Sequence, residues 1–243
     1  MRDYKEEFEK RVAFIKNLVV ESGVKGIVFG NSGGKDSALV GILCKAACDN
    51  TVGVIMPCSS KRNYEEDADD GRELADKYGI ETRVVDLTPV KEAELKQLEN
   101  VVKMIPASEI NIAPRLRMTT LYAIAAAESL LVAGTGNRSE AYVGYFTKWG
   151  DGAHDFNPIS DLTVTEIYEF LRYLDAPKRI IEKAPSAGLF DAQTDESEMG
   201  FRYSELDRYL VTGEADPKVK ERIDGMHRRS QHKREDIRRF ENV

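Results

Sequence analysis

Short apolar runs that alternate with helical patterns constrain the fold of this chain more than any other feature. β-rich runs recur at residues 26–30, 51–57, 82–87 and 129–136, and helical patterns of crossover length lie between the first three. This alternation predicts parallel strands, because parallel neighbours need a long crossover connection. We therefore expect an α/β fold with a doubly wound parallel sheet flanked by helices. Its ligand crevice should lie beyond the carboxyl ends of the strands.

The pattern changes after residue 150. Residues 150–161 have the composition of a loop, 163–174 form an amphipathic helical pattern, and 182–200 are polar and turn-prone. A segment of that length without periodicity is usually functional or mobile. Basic residues cluster in 227–239, which is more often a solvated helix face than a binding site. We expect one domain over residues 1–243 with a helical C-terminal extension.

Composition excludes several classes of function. The net charge of −7 argues against non-specific nucleic-acid binding. The chain lacks an apolar run near the ~18 residues of a membrane helix, and its first ten residues do not resemble a signal peptide. We expect a soluble, cytoplasmic protein without a membrane partner. Cys44, Cys48 and Cys58 are too few and too irregular for a disulfide framework or a zinc site.

A glycine-rich turn, FGNSGGKDSALVG, follows the first apolar run at residues 29–41. It is not a Walker A loop, since Phe29 stands where the first glycine is needed and Asp36 where a hydroxyl is needed. Backbone N–H groups at residues 32–34 can still face an anion near a helix N-terminus. Asp36 would repel a phosphate unless a cation lay between them, which indicates Mg²⁺. The alternative is a tight strand-to-helix turn with a capping residue.

The motif SGGKDS within this turn resembles the S-G-G-x-D-S loop of the ATP pyrophosphatases, whose Rossmann-like fold is the one expected above. The resemblance implies that the loop holds the β- and γ-phosphates of ATP as a leaving pyrophosphate while the substrate attacks the α-phosphate. By this resemblance the ATP-binding residues of the loop are Gly30, Asn31, Ser32, Gly33, Gly34, Lys35, Asp36 and Ser37.

Five further blocks, in order along the chain, resemble the ammonia-dependent NAD synthetases. They are NIAPRLRMTTLY (111–122), GTGNRSE (134–140), GYFTKWGDGAHDFNPISDL (144–162), PSAGLFDAQTDESEMGFRYSELD (185–207) and MHRRSQHKR (226–234). The resemblance implies the reaction of ATP, deamido-NAD and ammonia to NAD, AMP and pyrophosphate. It also implies a homodimer with the dinucleotide site at the subunit interface.

The same resemblance assigns further residues. Thr135 and Ser186 match ATP contacts, and Glu140 matches a partner of Asp36 in holding Mg²⁺. The alternative for Glu140 is an exposed acid at the start of a helix. The residues that match deamido-NAD contacts are Arg115, Lys148, Asp155, His232 and Lys233. Arg117, on roughly the opposite helix face from Arg115, is left to an ion pair or a second contact.

Ammonia requires its own site, because at neutral pH it is mostly ammonium and has no free lone pair. A carboxylate could attract the cation and accept its proton. We assign this catalytic role to Asp151, which resembles the ammonia-site acid of the family. A glutamine-dependent enzyme would need an additional amidase domain, and every stretch of this chain is already assigned to the synthetase pattern. We therefore expect free ammonia, or ammonia from a separate subunit, as the nitrogen source.

Two positions depart from the family pattern. The family usually supplies a lysine to ATP where this chain has Val164, and it usually has an apolar residue where this chain has Lys35. We hypothesise that Lys35 replaces the missing charge at the triphosphate; the alternative is a solvated lysine.

Two other functions compete with this interpretation. A tRNA-modifying member of the superfamily would share SGGKDS but would need a basic surface. A non-catalytic ATP sensor would keep the glycine turns without needing Asp36 and Glu140 together.

Overall fold

The computed structural model describes residues 2–59, 66–183, 195–237 and 239–240. Within these residues the strands form one parallel sheet with the order β3-β2-β1-β4. The strands are β1 Gly26–Gly30, β2 Thr51–Ile55, β3 Glu81–Val84 and β4 Leu130–Ala133. The chain runs from β1 outward to β2 and β3 and then crosses to the other side of β1. The crevice predicted for a doubly wound sheet therefore opens between β1 and β4.

Helices surround this sheet and continue after it. Those before and between the strands are α1 Tyr4–Ser22, α2 Lys35–Ala47, α3 Glu66–Tyr78, α4 Thr88–Leu98, α5 Pro106–Ile110 and α6 Ile112–Glu128. Those after the sheet are α7 Arg138–Val143, α8 Val164–Tyr173, α9 Lys178–Glu182, α10 Asp195–Met199, α11 Tyr203–Thr212 and α12 Pro217–Arg229. A 3₁₀ turn, Gln231–Lys233, follows α12.

Alternation along β1 divides the core into two layers. Ile27 and Phe29 point to one face, where they pack with α1, α2 and α8. Val28 points to the other face and packs with β2, β4 and α6. Full burial of the large apolar side chains on both faces is the main stabilising contribution to this sheet. The fold class expected from the sequence, a parallel α/β sheet flanked by helices, is confirmed.

The helices after the sheet have a core of their own. Val143, Val164, Phe201, Leu206 and Ile223 join α7, α8, α11 and α12 in a third buried cluster. This cluster is the helical C-terminal extension expected from the sequence. It fixes the basic end of α12 against α7, where His227 stacks on the Tyr142 ring with 4.1 Å between centroids.

Two further expectations concern the cysteines and membrane spans. Cys44 and Cys58 are buried, Cys48 is half-buried, and all three are free thiols, so Cys44 and Cys48 contribute to a packed helix face. Among the described residues, no helix combines the length and the apolar character needed to cross a bilayer.

Candidate functional site

A cavity of about 590 Å³ lies at the carboxyl ends of β1, β2 and β4. The glycine-rich loop before α2 lines one part of it, and the second glycine turn after β4 lines another. Residues that the sequence placed at the site and that line the cavity are Gly30, Asn31, Ser32, Gly34, Lys35, Asp36, Ser37, Thr135, Glu140, Asp151 and Lys233. The parallel topology thus brings both glycine turns to one place.

The glycine-rich loop is held from behind by α3. Gly33 has φ +69°, and a Cβ there would lie 2.2 Å from the Asp67 carbonyl oxygen, so only glycine fits. The buried Asn31 side chain donates from Nδ2 to the Gly71 carbonyl at 2.9 Å and accepts from the Gly33 N–H at 3.3 Å. Gly34 then serves as the N-cap of α2 without a side-chain cap, which leaves backbone N–H groups at the helix start for an anion.

The two acids predicted to hold a metal meet across the crevice. Asp36 lies in the first turn of α2 and Glu140 in the first turn of α7. Asn137, which is 0% exposed, joins them: its Nδ2 donates to Asp36 Oδ1 at 3.0 Å, and its backbone N–H donates to Glu140 Oε2 at 3.4 Å. Its Oδ1 also accepts from the Glu140 N–H at 2.9 Å and so caps α7. One buried residue therefore positions both carboxylates, Asp36 through its side-chain amide and Glu140 through its backbone N–H.

The electrostatics of this pair favour a bound cation. Burial, and then the charge of Asp36, raise the pKa of Glu140. The Lys35 ammonium already lies 2.7 Å from Asp36 Oδ2 and 3.8 Å from Glu140 Oε1. No cluster of three or more His, Cys, Asp or Glu side chains suited to a metal occurs in the part of the chain that the structure describes. Two carboxylates fit Mg²⁺, which takes few protein ligands and completes its shell with phosphate and water oxygens.

The second glycine turn is packed against the segment that follows it. A Cβ on Gly134 would lie 2.4 Å from the His154 ring, and Asn157 Nδ2 donates to the Gly136 carbonyl at 2.8 Å. Burial lowers the pKa of His154, which favours the neutral form of its ring. Thr135, between the two glycines, lines the cavity, and its contact with a nucleotide stays a prediction.

Asp151 also lines the cavity and remains accessible to the solvent within it. Its Oδ1 accepts from the Thr147 N–H at 3.0 Å. Burial among the surrounding groups raises the pKa of Asp151, although that hydrogen bond and the charges of Lys233 and Arg117 act in the opposite direction. A carboxyl with a raised pKa is a stronger base once ionised, which suits proton acceptance.

The residues expected to contact deamido-NAD lie in three places: in the cavity lining, in an outer cluster and, for Asp155, apart from both. Lys233 lines the cavity and donates to the carbonyls of Gly144 at 2.7 Å and Phe146 at 2.5 Å. Arg115, Lys148 and His232 form an outer cluster, in which Arg115 donates to the Lys148 carbonyl at 3.3 Å. Lys148 Nζ in turn donates to the His232 carbonyl at 2.5 Å.

Asp155 lies apart from the other expected deamido-NAD residues. Its Oδ1 accepts from Tyr122 Oη at 3.1 Å and its Oδ2 from the Val132 N–H at 2.8 Å. It is outside the lining that the described residues give the cavity. Ser186, expected to contact ATP, lies outside the described residues.

The sequence left open the role of Arg117 and the effect of Val164, which stands where the family usually has a lysine. The structure locates both residues. Arg117 lines the cavity, its Nε donates to the Met56 carbonyl at 3.1 Å, and burial lowers its pKa. Val164 is 3% exposed in the third core cluster, together with Tyr203. The Lys35 ammonium lies 5.6 Å from the centre of the Tyr203 ring. Lys35 thus approaches the same cluster that buries Val164.

Sequence reasoning missed two features of the site. Asn137 follows a strand and a glycine turn, a position typical of a helix cap, and that signal could have identified it. Lys183 lines the cavity and donates to Asp67 Oδ1 at 2.7 Å and Asp70 Oδ2 at 2.5 Å. No local pattern connects Lys183 with α3, because the contact joins residues more than a hundred positions apart.

Comparison with known proteins agrees with this geometry. The family model described as NAD synthase matches residues 7–237. A protein of Carboxydothermus hydrogenoformans named NH(3)-dependent NAD(+) synthetase is 47% identical over 235 residues, covering 96% of each chain.

Two solved structures are similar over almost the whole chain. A structure titled NMN synthetase, from Francisella tularensis, has a TM-score of 0.93 at 37% identity, with 100% of both chains covered. A structure titled NH3-dependent NAD synthetase, from Campylobacter jejuni in complex with the nitrate ion, has a TM-score of 0.81 at 32% identity, with 99% of this chain and 100% of that chain covered. The match over most of the sequence, together with the shared fold, shows that the chain belongs to the NAD synthase family.

Proposed function

We propose that this protein is a ligase that amidates the nicotinate carboxylate of deamido-NAD with ammonia, converting ATP to AMP and pyrophosphate. The observation that carries the proposal is one cavity with two parts. The glycine-rich loop, Asp36 and Glu140 line one part, and Asp151 and Lys233 line the other. A reaction that joins an activated carboxylate to ammonia needs both parts within reach of one reacting carbon.

The glycine-rich loop is proposed to hold the pyrophosphate end of ATP. Its N–H groups at the start of α2 are not occupied by a side-chain cap, and the helix start favours negative charge. Ser32 and Ser37, whose Oγ atoms lie 3.0 Å apart, can both donate to phosphate oxygens. The substrate carboxylate then attacks the α-phosphorus and pyrophosphate departs, which leaves an acyl-adenylate.

Mg²⁺ is proposed to bind Asp36 and Glu140. When bound, it would neutralise charge on the departing pyrophosphate. This chain's own contribution is to keep both carboxylates in place through Asn137, whose hydrogen bonds reach each of them.

Asp151 is proposed to attract ammonium and to accept its proton. The hydrogen bond from the Thr147 N–H fixes one carboxylate oxygen of Asp151, and the residue lines the cavity. Ammonia then attacks the carbonyl carbon of the acyl-adenylate, and AMP leaves with the oxygen that came from the carboxylate. Arg117, in the same lining, is proposed to balance the charge of the leaving phosphate.

The dinucleotide is proposed to extend from the cavity onto the outer cluster of Arg115, Lys148 and His232. Each member has a neighbour in sequence that lines the cavity, namely Pro114, Thr147 and Lys233. We further propose a homodimer that covers this surface. Alanines on the solvent side of α6, at positions 123, 126 and 127, would allow close approach of a second copy.

The remaining assignments concern organisation and location. We propose that residues 1–243 act as one domain, since residues from position 30 to 233 line one cavity. A cytoplasmic location is proposed because all three cysteines are free thiols, as a reducing compartment keeps them.

Nicotinate mononucleotide is a second candidate substrate. The similarity to the structure titled NMN synthetase, at a TM-score of 0.93, favours it. The amidation chemistry would be the same, but a mononucleotide would not need the outer cluster. The tRNA-modifying and sensor functions lack comparable support, because neither accounts for a family match over residues 7–237.

The test is an assay of amide formation with ATP and Mg²⁺, in which deamido-NAD and nicotinate mononucleotide compete at equal concentration. Ammonium chloride and glutamine are supplied separately as nitrogen sources. The proposal predicts NAD from deamido-NAD with ammonium, and the alternative predicts mainly the mononucleotide amide. Failure of both nucleotides to react, or a requirement for tRNA, would refute the assignment.

A variant of the outer cluster should distinguish deamido-NAD from nicotinate mononucleotide as the substrate. Replacing Arg115 with Ala should raise the KM for deamido-NAD and leave that for nicotinate mononucleotide unchanged. Lys10→Met, at an exposed lysine of α1 that pairs only locally with Glu6 at 2.7 Å, serves as the control variant.

A further inference from the structure

The Lys35 side chain lies where a bound cation would be expected. Its ammonium is 2.7 Å from Asp36 Oδ2 and 3.8 Å from Glu140 Oε1, and the side chain is only 7% exposed. The ring of Tyr203 lies on another side of it, with 5.6 Å from Nζ to the ring centre. The lysine is therefore not a solvated residue, which was the alternative left open by the sequence.

The surroundings explain why the ammonium is charged in this position. The opposite charges of Asp36 and Glu140 offset the cost of burying the Lys35 ammonium. Asp36 uses its other oxygen to accept from Asn137, and Glu140 uses its other oxygen in the same way. Lys35 thus neutralises the two oxygens that the Asn137 hydrogen bonds leave free.

A divalent ion on this pair needs the same two oxygens. Mg²⁺ binds oxygen at about 2.0–2.1 Å, so a Mg²⁺ on the same Asp36 oxygen would lie close to the ammonium, and repulsion between the two cations disfavours their binding together. The metal and the ammonium therefore compete for the pair. Lys35 also lines the cavity beside the glycine-rich loop, so phosphate oxygens of a nucleotide in that cavity are an alternative partner for it.

We propose that Lys35 is a displaceable internal cation, which neutralises the Asp36–Glu140 pair in the metal-free protein and moves to the nucleotide phosphates when a divalent ion binds. The inference rests on the proposed metal site. The inference goes beyond that site because it makes the divalent ion compete with the Lys35 ammonium for the same carboxylates.

The competition has a consequence for the order of binding. Without nucleotide, a divalent ion must displace the ammonium from its carboxylate partners with no phosphate to receive it, and the affinity for the ion is reduced by that cost. With ATP present, the displaced ammonium gains phosphate partners. Divalent ion and nucleotide should therefore bind with positive coupling that depends on Lys35.

The experiment measures Mn²⁺ binding, with the metal alone as the probe, from the electron paramagnetic resonance signal of free Mn²⁺. Wild-type protein is compared with Lys35→Met, which keeps an unbranched side chain of similar length and removes its charge. Lys35→Met should bind Mn²⁺ at least ten-fold more tightly than wild type without nucleotide. Adding the non-cleavable α,β-methylene-ATP should improve Mn²⁺ affinity more in wild type than in Lys35→Met.

Two controls make the readout specific. Lys10→Met removes an exposed lysine with a local carboxylate partner and should bind Mn²⁺ like wild type. Glu140→Gln combined with Lys35→Met should lose the tight binding, which locates the metal at this pair. Equal Mn²⁺ affinity in Lys35→Met and wild type, weaker affinity in the variant, or no detectable site in either protein would overturn the proposal.

A second measurement applies if Lys35→Met does not fold. The ¹⁵Nζ resonance of Lys35 in wild-type protein, identified by its absence from Lys35→Arg, should shift when Mg²⁺ and α,β-methylene-ATP are added together. An unchanged resonance on a protein that binds the nucleotide would overturn the proposal. Neither measurement uses turnover, so failure of amide formation and failure of this inference give different results.

Discussion

Removing the Asn137 side chain tests how the acidic pair is held together. Asn137→Ala removes the cap of α7, a 2.9 Å bond to the Glu140 N–H, and the 3.0 Å bond to the charged Asp36. Loss of a cap costs about 1 kcal/mol, and loss of a hydrogen bond to a charged group about 1.5–3 kcal/mol. The free energy of unfolding should therefore fall by about 2.5–4 kcal/mol, from the sum of these terms.

The effect on metal use should be separable from the effect on stability. Residues that orient metal ligands typically change affinity or activity by about 10- to 100-fold when removed. We expect the Mg²⁺ concentration for half-maximal pyrophosphate release to rise by about that factor in Asn137→Ala. Asn137→Ser keeps a cap acceptor but is too short to reach Asp36. It should recover about 1 kcal/mol of stability without restoring the Mg²⁺ response.

The control is Thr163→Ala in the buried cap of α8, where Thr163 Oγ1 accepts from the Glu166 N–H at 3.3 Å. Urea unfolding should show a loss of about 1 kcal/mol, with an unchanged Mg²⁺ response. If Asn137→Ala proves as stable as wild type, or if its Mg²⁺ response matches that of Thr163→Ala, the reasoning about the acidic pair is wrong.

Three other changes have defined outcomes. Asp151→Asn should raise the KM for ammonium about ten-fold or more. The raised pKa of Asp151 means that its ionised form destabilises the folded protein once the pH exceeds the ordinary carboxyl range. Urea unfolding should therefore show that the variant is more stable than wild type at pH 7 but not at pH 3. Gly33→Ala places a Cβ 2.2 Å from the Asp67 carbonyl at φ +69°, so the KM for ATP in the pyrophosphate-release assay should rise, and an unchanged KM would exclude a phosphate role for this turn. Lys183→Met leaves Asp70, which is 2% exposed, with weaker compensation, and should lower the free energy of unfolding by about 3 kcal/mol, whereas adding Asp70→Asn should restore part of it.

The fold could be predicted because the apolar runs coincide with buried strands. The run at 26–30 is β1 itself, and its alternate residues enter different cores. The run at 82–87 was placed less well, since β3 spans Glu81–Val84. β3 is an edge strand with one neighbour and largely exposed side chains, so its hydrophobic pattern is weak.

The location of the site could be predicted for a related reason. Turns that follow parallel strands meet at one edge of the sheet, so spacing alone brought the two glycine turns together. The contacts within the site could not be predicted in the same way. Asn137 reaches Asp36 across 101 positions, and Lys183 reaches Asp67 across 116 positions. Such contacts depend on how α7 and the chain after α9 pack, which no local pattern encodes.

The two arginines of α6 illustrate the same limit. Their spacing correctly predicted opposite faces, but which one faces the cavity depends on how α6 lies on the sheet. The structure turns Arg117 inward and leaves Arg115 exposed. The ligand roles of both, like that of Ser186, stay predictions.

The central claim is that the nicotinate carboxylate attacks the α-phosphorus of ATP before ammonia displaces AMP. The most direct measurement uses deamido-NAD with ¹⁸O in that carboxylate, with ATP, Mg²⁺ and ammonium, followed by mass spectrometry of the phosphate products. The account predicts one ¹⁸O atom in AMP, none in pyrophosphate, and NAD formed in equal amount. Label in orthophosphate together with ADP, or unlabelled AMP formed alongside NAD, would contradict it.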